Sequence, residues 1–425
     1  MCVKKRCSDP VSADPARQLP LHTRAIGVAT RGPVVGAFGF GVDRAPRLRF
    51  TAADGYGPTS TTNSSWTVLG HMIERQTPPC PRSGMRRTRV PGWITAMIAA
   101  AAVMPCPVMA HAAELPLRQV RPDVLLPGGA NRFDYASIDP RRRLLFISHL
   151  GSNLVVAFDL KTGRVLTAIR NVLAVHGVLA VPELGEVFAS ATGRNQLEVI
   201  SERSLRVIAH APAGIYPDGM AFAPDVNELF ISDEHGGTET VIDTRTDRRI
   251  ATIPMGGHVG NSQYDPVTDR IFADVQTRDQ IVAIDPHTDR IVQRYSLPNS
   301  CHHDHGLLID PPARLAFVAC DGNAKLLVVD MRSMRVLSVH TVGRDPDVLA
   351  FDSGLSRLYV ASESGVVTVF ELEGTRLRLL GRKYLAFEAH SVAVDPITHR
   401  VYFPLQDVNG RGVLRIMAPT EPQRH

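Results

Sequence analysis

From about residue 132 to residue 419 the chain repeats one unit seven times. Two copies show the pattern: "FDYASIDPRRRLLFISHLGSNLVVAFDLKTGRVLTAI" and "HDHGLLIDPPARLAFVACDGNAKLLVVDMRSMRVLSVH". The turn position held by Pro140 recurs at Pro182, Pro224, Pro266, Pro311, Ser353 and Pro396, at spacings of 42, 42, 42, 45, 42 and 43 residues. Each unit carries four short runs rich in Val, Ile, Leu and Phe, separated by Gly, Asp, Asn and Pro. No segment after 132 has a sustained helical period, so an alternating α/β fold lacks its helices. Four strands in about 42 residues is the size of one propeller blade. The expected fold is all-β, a seven-bladed β-propeller of four-stranded antiparallel blades. A solenoid of stacked sheets is the alternative. Residues 115 to 131 are expected to supply an edge strand that helps close the ring.

The chain ahead of the repeats divides in two. Residues 85 to 112, "MRRTRVPGWITAMIAAAAVMPCPVMAHA", have a basic head, an apolar stretch and a small-residue Ala110-His111-Ala112 end. That is the three-part pattern of a secretory signal peptide, and it implies a periplasmic or secreted protein. The apolar run is short for a membrane span, which needs about 20 residues. Residues 1 to 84 have no sustained period and read as a disordered or upstream segment, with translation starting at Met85. The propeller is then 113–425.

This division changes the charge. Residues 1 to 112 hold 14 of the 47 Lys and Arg and 5 of the 42 Asp and Glu, leaving 33 basic and 37 acidic residues, a net −4, in the rest. Without a basic stripe, nucleic acid is a poor partner. A closed propeller needs no second chain to fold, so a monomer is expected. Of the six cysteines only Cys301 and Cys320 lie in the repeats. An oxidising compartment permits their disulfide. Spacing alone leaves two free thiols as the alternative.

The extra residues at the 45-residue interval fall in "NSCHHDHG", residues 299 to 306. Six residues before each turn position stand Asp134, His176, Asp218, Gly260, His305, Asp347 and His390. The first strand of each blade lines the central channel, so these side chains should ring one mouth of it. Two residues earlier come Arg132, Ala174, Tyr216, His258, His303, Asp345 and Glu388. A two-residue step in an extended chain keeps the same side, which predicts a second tier. Loops after the second strands bring His149, Asp233, Glu234, His235, Asp274, Asp321, Glu363 and Asp407 to the same face. Ligand-binding candidates are Asp134, His176, Asp218, His305, Asp347 and His390. His176, His305, His390, His303, His258 and Glu388 are candidates for one divalent metal ion. A hydrogen-bonded collar around a water-filled channel, or a polar pocket without metal, would use the same residues. His210, His287, His340 and His399 fall in outer strands or turns. Arg141, Arg142 and Arg143 are expected to be a solvated cluster on the opposite face.

No GxGxxG, P-loop, GxSxG or CxxCH motif occurs in the repeats. The segments "HGLLIDP", "RLYVAS" and "VIDTRTDRRI" resemble the YVTN-repeat, YncE-like family of exported bacterial propellers over about residues 116 to 419. That resemblance implies the scaffold and leaves the activity open, since one fold hosts many functions. The ring and the inserted loop form a concave polar mouth, where a ligand or a protein partner is expected to bind. The alternative, which the resemblance implies, is a metal-dependent lyase or hydrolase. Streptogramin-lyase-like propellers are similar in placing histidines of successive blades with an acidic residue at the mouth, around Mg²⁺. Here Asp347 stands between His305 and His390, a departure from that arrangement.

Overall fold

The computed structural model describes residues 114–420. The segments 1–84 and 85–112 lie outside the described residues. Seven antiparallel sheets follow one another. Their innermost strands are Ala136–Asp139, Val175–Val181, Pro217–Ala223, Val259–Asp265, Asp304–Asp310, Pro346–Asp352 and Ala393–Val394. Each packs against the next, and the last returns to the first. Blade 7 takes its outermost strand from the start of the described chain. Leu117–Gln119 pairs with Val413–Pro419, with Leu117 opposite Pro419. Closing the ring in this way removes a free sheet edge. Among the described residues no helix is long and apolar enough to cross a membrane.

The repeat pattern follows from burial. Second strands such as Leu315–Cys320 are buried along their whole length and read as unbroken apolar runs. Outer strands such as Arg335–Thr341 alternate exposed and half-buried residues. The cores lie between blades. Phe146 and Val155 of blade 1 pack with Val187 and Ala189 of blade 2.

Two recurring turns explain the Asp-rich motifs. Asp139, Asp265, Asp352 and Asp395 accept the backbone N–H two residues on, as do Asp159, Asp243, Asp285 and Asp330 after the third strands. A short carboxylate can hold a turn closed in this way. Three residues past the turn position the chain is left-handed in all seven blades, from φ 52° at Asp269 to φ 68° at Gly185.

The expected solvated cluster holds for the exposed side chains of Arg141 and Arg142 and is corrected for Arg143. Arg143 reaches across the blade 1–blade 7 seam and grips Asp395 with two nitrogens, each at 2.5 Å. Arg142 bonds Glu202 of blade 2 at 2.9 Å, and Arg141 bonds Glu183 at 2.5 Å. Arg314–Asp265 at 2.6 Å and His399–Asp352 at 2.9 Å repeat the device at other seams. The cause is register: the left-handed residue after the turn points at the neighbouring blade's turn aspartate.

Candidate functional site

The ring residues sit on β-bulges. In blades 2 to 6 the pairing of first and second strands slips at Val175/Val178, Pro217/Met220, Val259/Ser262, Asp304/Gly306 and Pro346/Leu349. Each slip spans a ring residue and re-aims its side chain toward the channel mouth. The glycine after the ring residue has a physical reason. A Cβ on Gly177 would lie 2.1 Å from the Asp218 carbonyl oxygen, and one on Gly306 would lie 2.2 Å from that of Asp347. Neighbouring inner strands approach too closely there for any side chain.

Asp134, His176, Asp218, His305 and Asp347 line one cavity of about 210 Å³. His390 is buried beside it, with Nε2 4.0 Å from Asp347 Oδ2. The central channel below holds a separate cavity of about 380 Å³, lined mostly by apolar side chains and backbone. The two share no lining residue. Asn261 of blade 4 donates to the Tyr135 hydroxyl of blade 1 at 3.1 Å, a bond across the channel just inside the ring.

The proposed second tier is not an extended continuation of the first. Ala174, Tyr216, His303, Asp345 and Glu388 are left-handed, with φ from 45° to 62°. The chain turns sharply there, so a two-residue step does not preserve side. Arg132, Tyr216, His303 and Asp345 still reach the cavity, whereas His258 and Glu388 are not among its walls. The loop candidates divide in the same manner. Glu234, Asp321 and Glu363 line the cavity. His149 and Asp233 end their second strands and are buried within the blades. Asp274 lies inside its strand, also buried. Asp407 is exposed and caps Gly410.

Sequence reading missed Gln276. It begins the short 3-10 turn Gln276–Arg278 and fills the gap that Gly260 leaves in the ring. Its side-chain nitrogen lies 2.8 Å from His305 Nδ1. The available signal was positional. Thr192, Glu234, Gln276, Asp321 and Glu363 all stand just past the second strand of their blades, spaced 42, 42, 45 and 42 residues apart.

Hydrogen bonds lock the histidines. His176 Nδ1 lies 3.0 Å from the Ala174 carbonyl and 2.9 Å from Thr192 Oγ1, so that nitrogen donates. In the neutral ring Nε2 then accepts from the Tyr216 hydroxyl at 3.0 Å. His390 faces carbonyl oxygens on both sides, Glu388 at 3.0 Å and Phe133 at 3.1 Å. His305 Nε2 lies 3.2 Å from Asp347 Oδ1. Burial opposes a charge on His305, but Asp347, with Asp218 and Asp321 nearby, outweighs it and holds the imidazole well above its ordinary range. Burial likewise works against charge on Asp347, yet His305, His390 and Arg132 keep it below the usual carboxylate range. Asp134 and Asp218 move the other way. Burial pushes both up, repulsion from Asp347 adds to it in each, and Asp134 and Glu234 add to it for Asp218. One buried oxygen of Asp218 has no hydrogen-bond partner.

The inserted loop is pinned at the cavity's edge. Cys301 and Cys320 form a disulfide with Cα atoms 5.3 Å apart. The His303 backbone N–H donates to Asp279 at 2.6 Å, and its Nδ1 meets Asp321 at 2.7 Å. His302 is exposed. Asp304 turns inward, fully buried, and neither of its oxygens makes a hydrogen bond. Burial, with repulsion from Asp279, lifts its carboxyl to about 8. Asp274 is raised for the same reason, with Asp304 adding to it. A carboxyl raised on folding contributes stability that is complete below its unfolded value of about 4 and is lost as pH climbs through the folded value. Melting curves of the parent should therefore show stability falling between about pH 4 and 8. Asp304→Asn should flatten that fall, and an unchanged slope would rule out the buried carboxyl as its source.

The fold and this mouth define a class: a seven-bladed propeller with an acidic, histidine-rich cup at one end of its channel. No family model and no curated protein matches the chain. Many solved chains share the fold. One is titled Kuenenia stuttgartiensis hydrazine synthase, at 15% identity and a TM-score of 0.57, over 70% of this chain and 97% of that one. At that identity the likeness carries the fold alone.

Proposed function

We propose that the protein is an exported binding propeller whose cup takes a small, positively charged ligand. The observation that carries this is the charge of the cavity wall: seven carboxylates and one guanidinium line about 210 Å³. Arg132 is already engaged by Glu363 at 2.7 Å, and His303 and His305 are paired with Asp321 and Asp347. Asp218 keeps a buried oxygen without a partner. A cation would supply what these carboxylates lack. A concave, largely pre-formed polar site of this kind suits a small molecule. The leader pattern at 85–112 and the disulfide both favour a periplasmic or secreted protein. The repeat motifs favour kinship with YncE-like propellers.

A thermal-shift panel of Mg²⁺, Ca²⁺, Mn²⁺ and putrescine on the full chain tests the cup. A ligand at a hundred times its Kd adds about 2.7 kcal/mol of stability. At least one cation should raise Tm in the parent and leave Asp134→Asn/Asp218→Asn unmoved. Equal shifts in both proteins would refute the reading.

A second reading is a metal-dependent lyase or hydrolase in the same cup. It is favoured by Asp134, Asp347 and His390, which offer ligand atoms within 4.8 Å of one another. The two aspartates fit a divalent cation directly. His390 fits only by giving up its contact with the Phe133 carbonyl. A bound divalent ion would supply polarisation of a substrate oxygen. His176, fixed by Ala174 and Thr192, presents Nε2 to the Tyr216 hydroxyl and could hold a proton there. Metal-dependent turnover that Tyr216→Phe lowers without weakening binding would favour this reading over binding alone.

A further inference from the structure

A second group of metal-ligating side chains lies beside the cup. Glu234, His235 and His258 each offer one ligand atom, and the three atoms fall within 4.8 Å of one another. His235 Nε2 is 3.8 Å from Glu234 Oε1. We propose that these residues form a rim site for a borderline divalent cation of the Zn²⁺ or Cu²⁺ type. This goes beyond the cup reading and does not depend on it.

Two imidazoles and one carboxylate suit Zn²⁺, Cu²⁺ and Ni²⁺ better than the hard ions Mg²⁺ and Ca²⁺. The residues come from two blades, and their backbones are tied together. The Glu234 N–H donates to the Tyr216 carbonyl at 2.9 Å, and the Glu234 carbonyl accepts from Val259, next to His258, at 3.3 Å. The His258 N–H donates to Thr277 Oγ1 at 3.1 Å, and its carbonyl accepts from Gln276 at 2.9 Å. The His235 ring lies against Tyr216 at a tilt of 33°, with ring centroids 4.1 Å apart, and 5.3 Å from the ring of His258. Ligand atoms of a tetrahedral site stand about 3.3 Å apart at Zn–N lengths near 2.0 Å. Because His235 and His258 are exposed, small side-chain rotations close that gap. Three protein ligands leave a coordination position open to solvent. Glu234 also lines the cup, so the two sites share a wall.

The test uses the full chain without an affinity tag, freed of metal, titrated with CuSO₄ and, separately, with ZnCl₂. The expected result is one equivalent bound. Electron paramagnetic resonance of the Cu²⁺ form should show coupling to two imidazole nitrogens. Both His235→Ala and His258→Ala should lose that signal. They should bind Zn²⁺ more weakly than the roughly 10–100-fold loss that outer-shell changes cause. His287→Ala, which alters an exposed histidine on a blade turn, should bind as the parent does. Asp134→Asn/Asp218→Asn, in the cup, should keep the two-nitrogen signal. No binding by the parent, or a two-nitrogen signal that survives in His235→Ala and His258→Ala, would overturn the proposal.

Discussion

Gly306→Ala should cost at least about 3 kcal/mol and loosen the seam between blades 5 and 6. The added Cβ would lie 2.2 Å from the Asp347 carbonyl oxygen, 2.6 Å from Leu349 Cδ1 and 3.1 Å from Ala319 Cβ. The first of these is backbone, held by the next blade's inner strand, so it cannot swing aside as a long side chain would. Relieving the clash means separating two inner strands at the point where both ring residues are aimed. Chemical denaturation measures the loss. Gly185→Asn is the matched control. Gly185 is left-handed at φ 68°, and blade 3 already carries Asn227 at the same position with φ 59°. That substitution should stay within about 0.5 kcal/mol. Equal effects of the two changes would contradict the close-approach account of the ring glycines.

Asp347→Ala is the second large effect. It leaves the half-buried His305 beside Asp218 and Asp321 without its 3.2 Å partner. Removing one member of a buried pair costs about 3–5 kcal/mol, because the other charge remains. His305→Ala/Asp347→Ala should recover part of that loss, since the pair acts as a unit. The His305 imidazole, followed by NMR titration, should fall from its raised range in Asp347→Ala. A loss under about 1 kcal/mol that adds simply to the His305→Ala effect would show that the two do not interact.

The parts legible in the sequence were those the repeat dictates. A 42-residue spacing placed the turn, and counting back from it placed Asp134, His176, Asp218, His305 and Asp347 on one cavity. The parts that stayed hidden depend on local backbone geometry. Ala174, Tyr216 and Glu388 carry no residue-type sign of a left-handed conformation, yet all three adopt it. His258, which does not share that conformation, stands off the cup wall beside Glu234 and His235. Gln276 escaped notice because it is neither charged nor an imidazole. Its role follows from the gap at Gly260, which only the assembled ring makes visible. Arg143 looked like surface charge because its partner Asp395 is 252 residues away in sequence. The disulfide needed a Cα separation that only three dimensions supply.

The central claim is that the acidic mouth holds a cation, and calorimetric titration tests it most directly. The full chain would be titrated with Ca²⁺, Mn²⁺ and putrescine at pH 6 and pH 8, in two buffers that differ in ionisation enthalpy. Asp134 and Asp218 are raised by burial and by repulsion from neighbouring carboxylates, Asp347 among them. A protonated carboxyl is neutral and competes with a cation, so affinity should rise with pH and binding should release protons. The expected result is saturable one-site binding, tighter at pH 8, accompanied by proton release and absent in Asp134→Asn/Asp218→Asn. No binding by any of the three cations, or the same affinity in the parent and that variant, would contradict it.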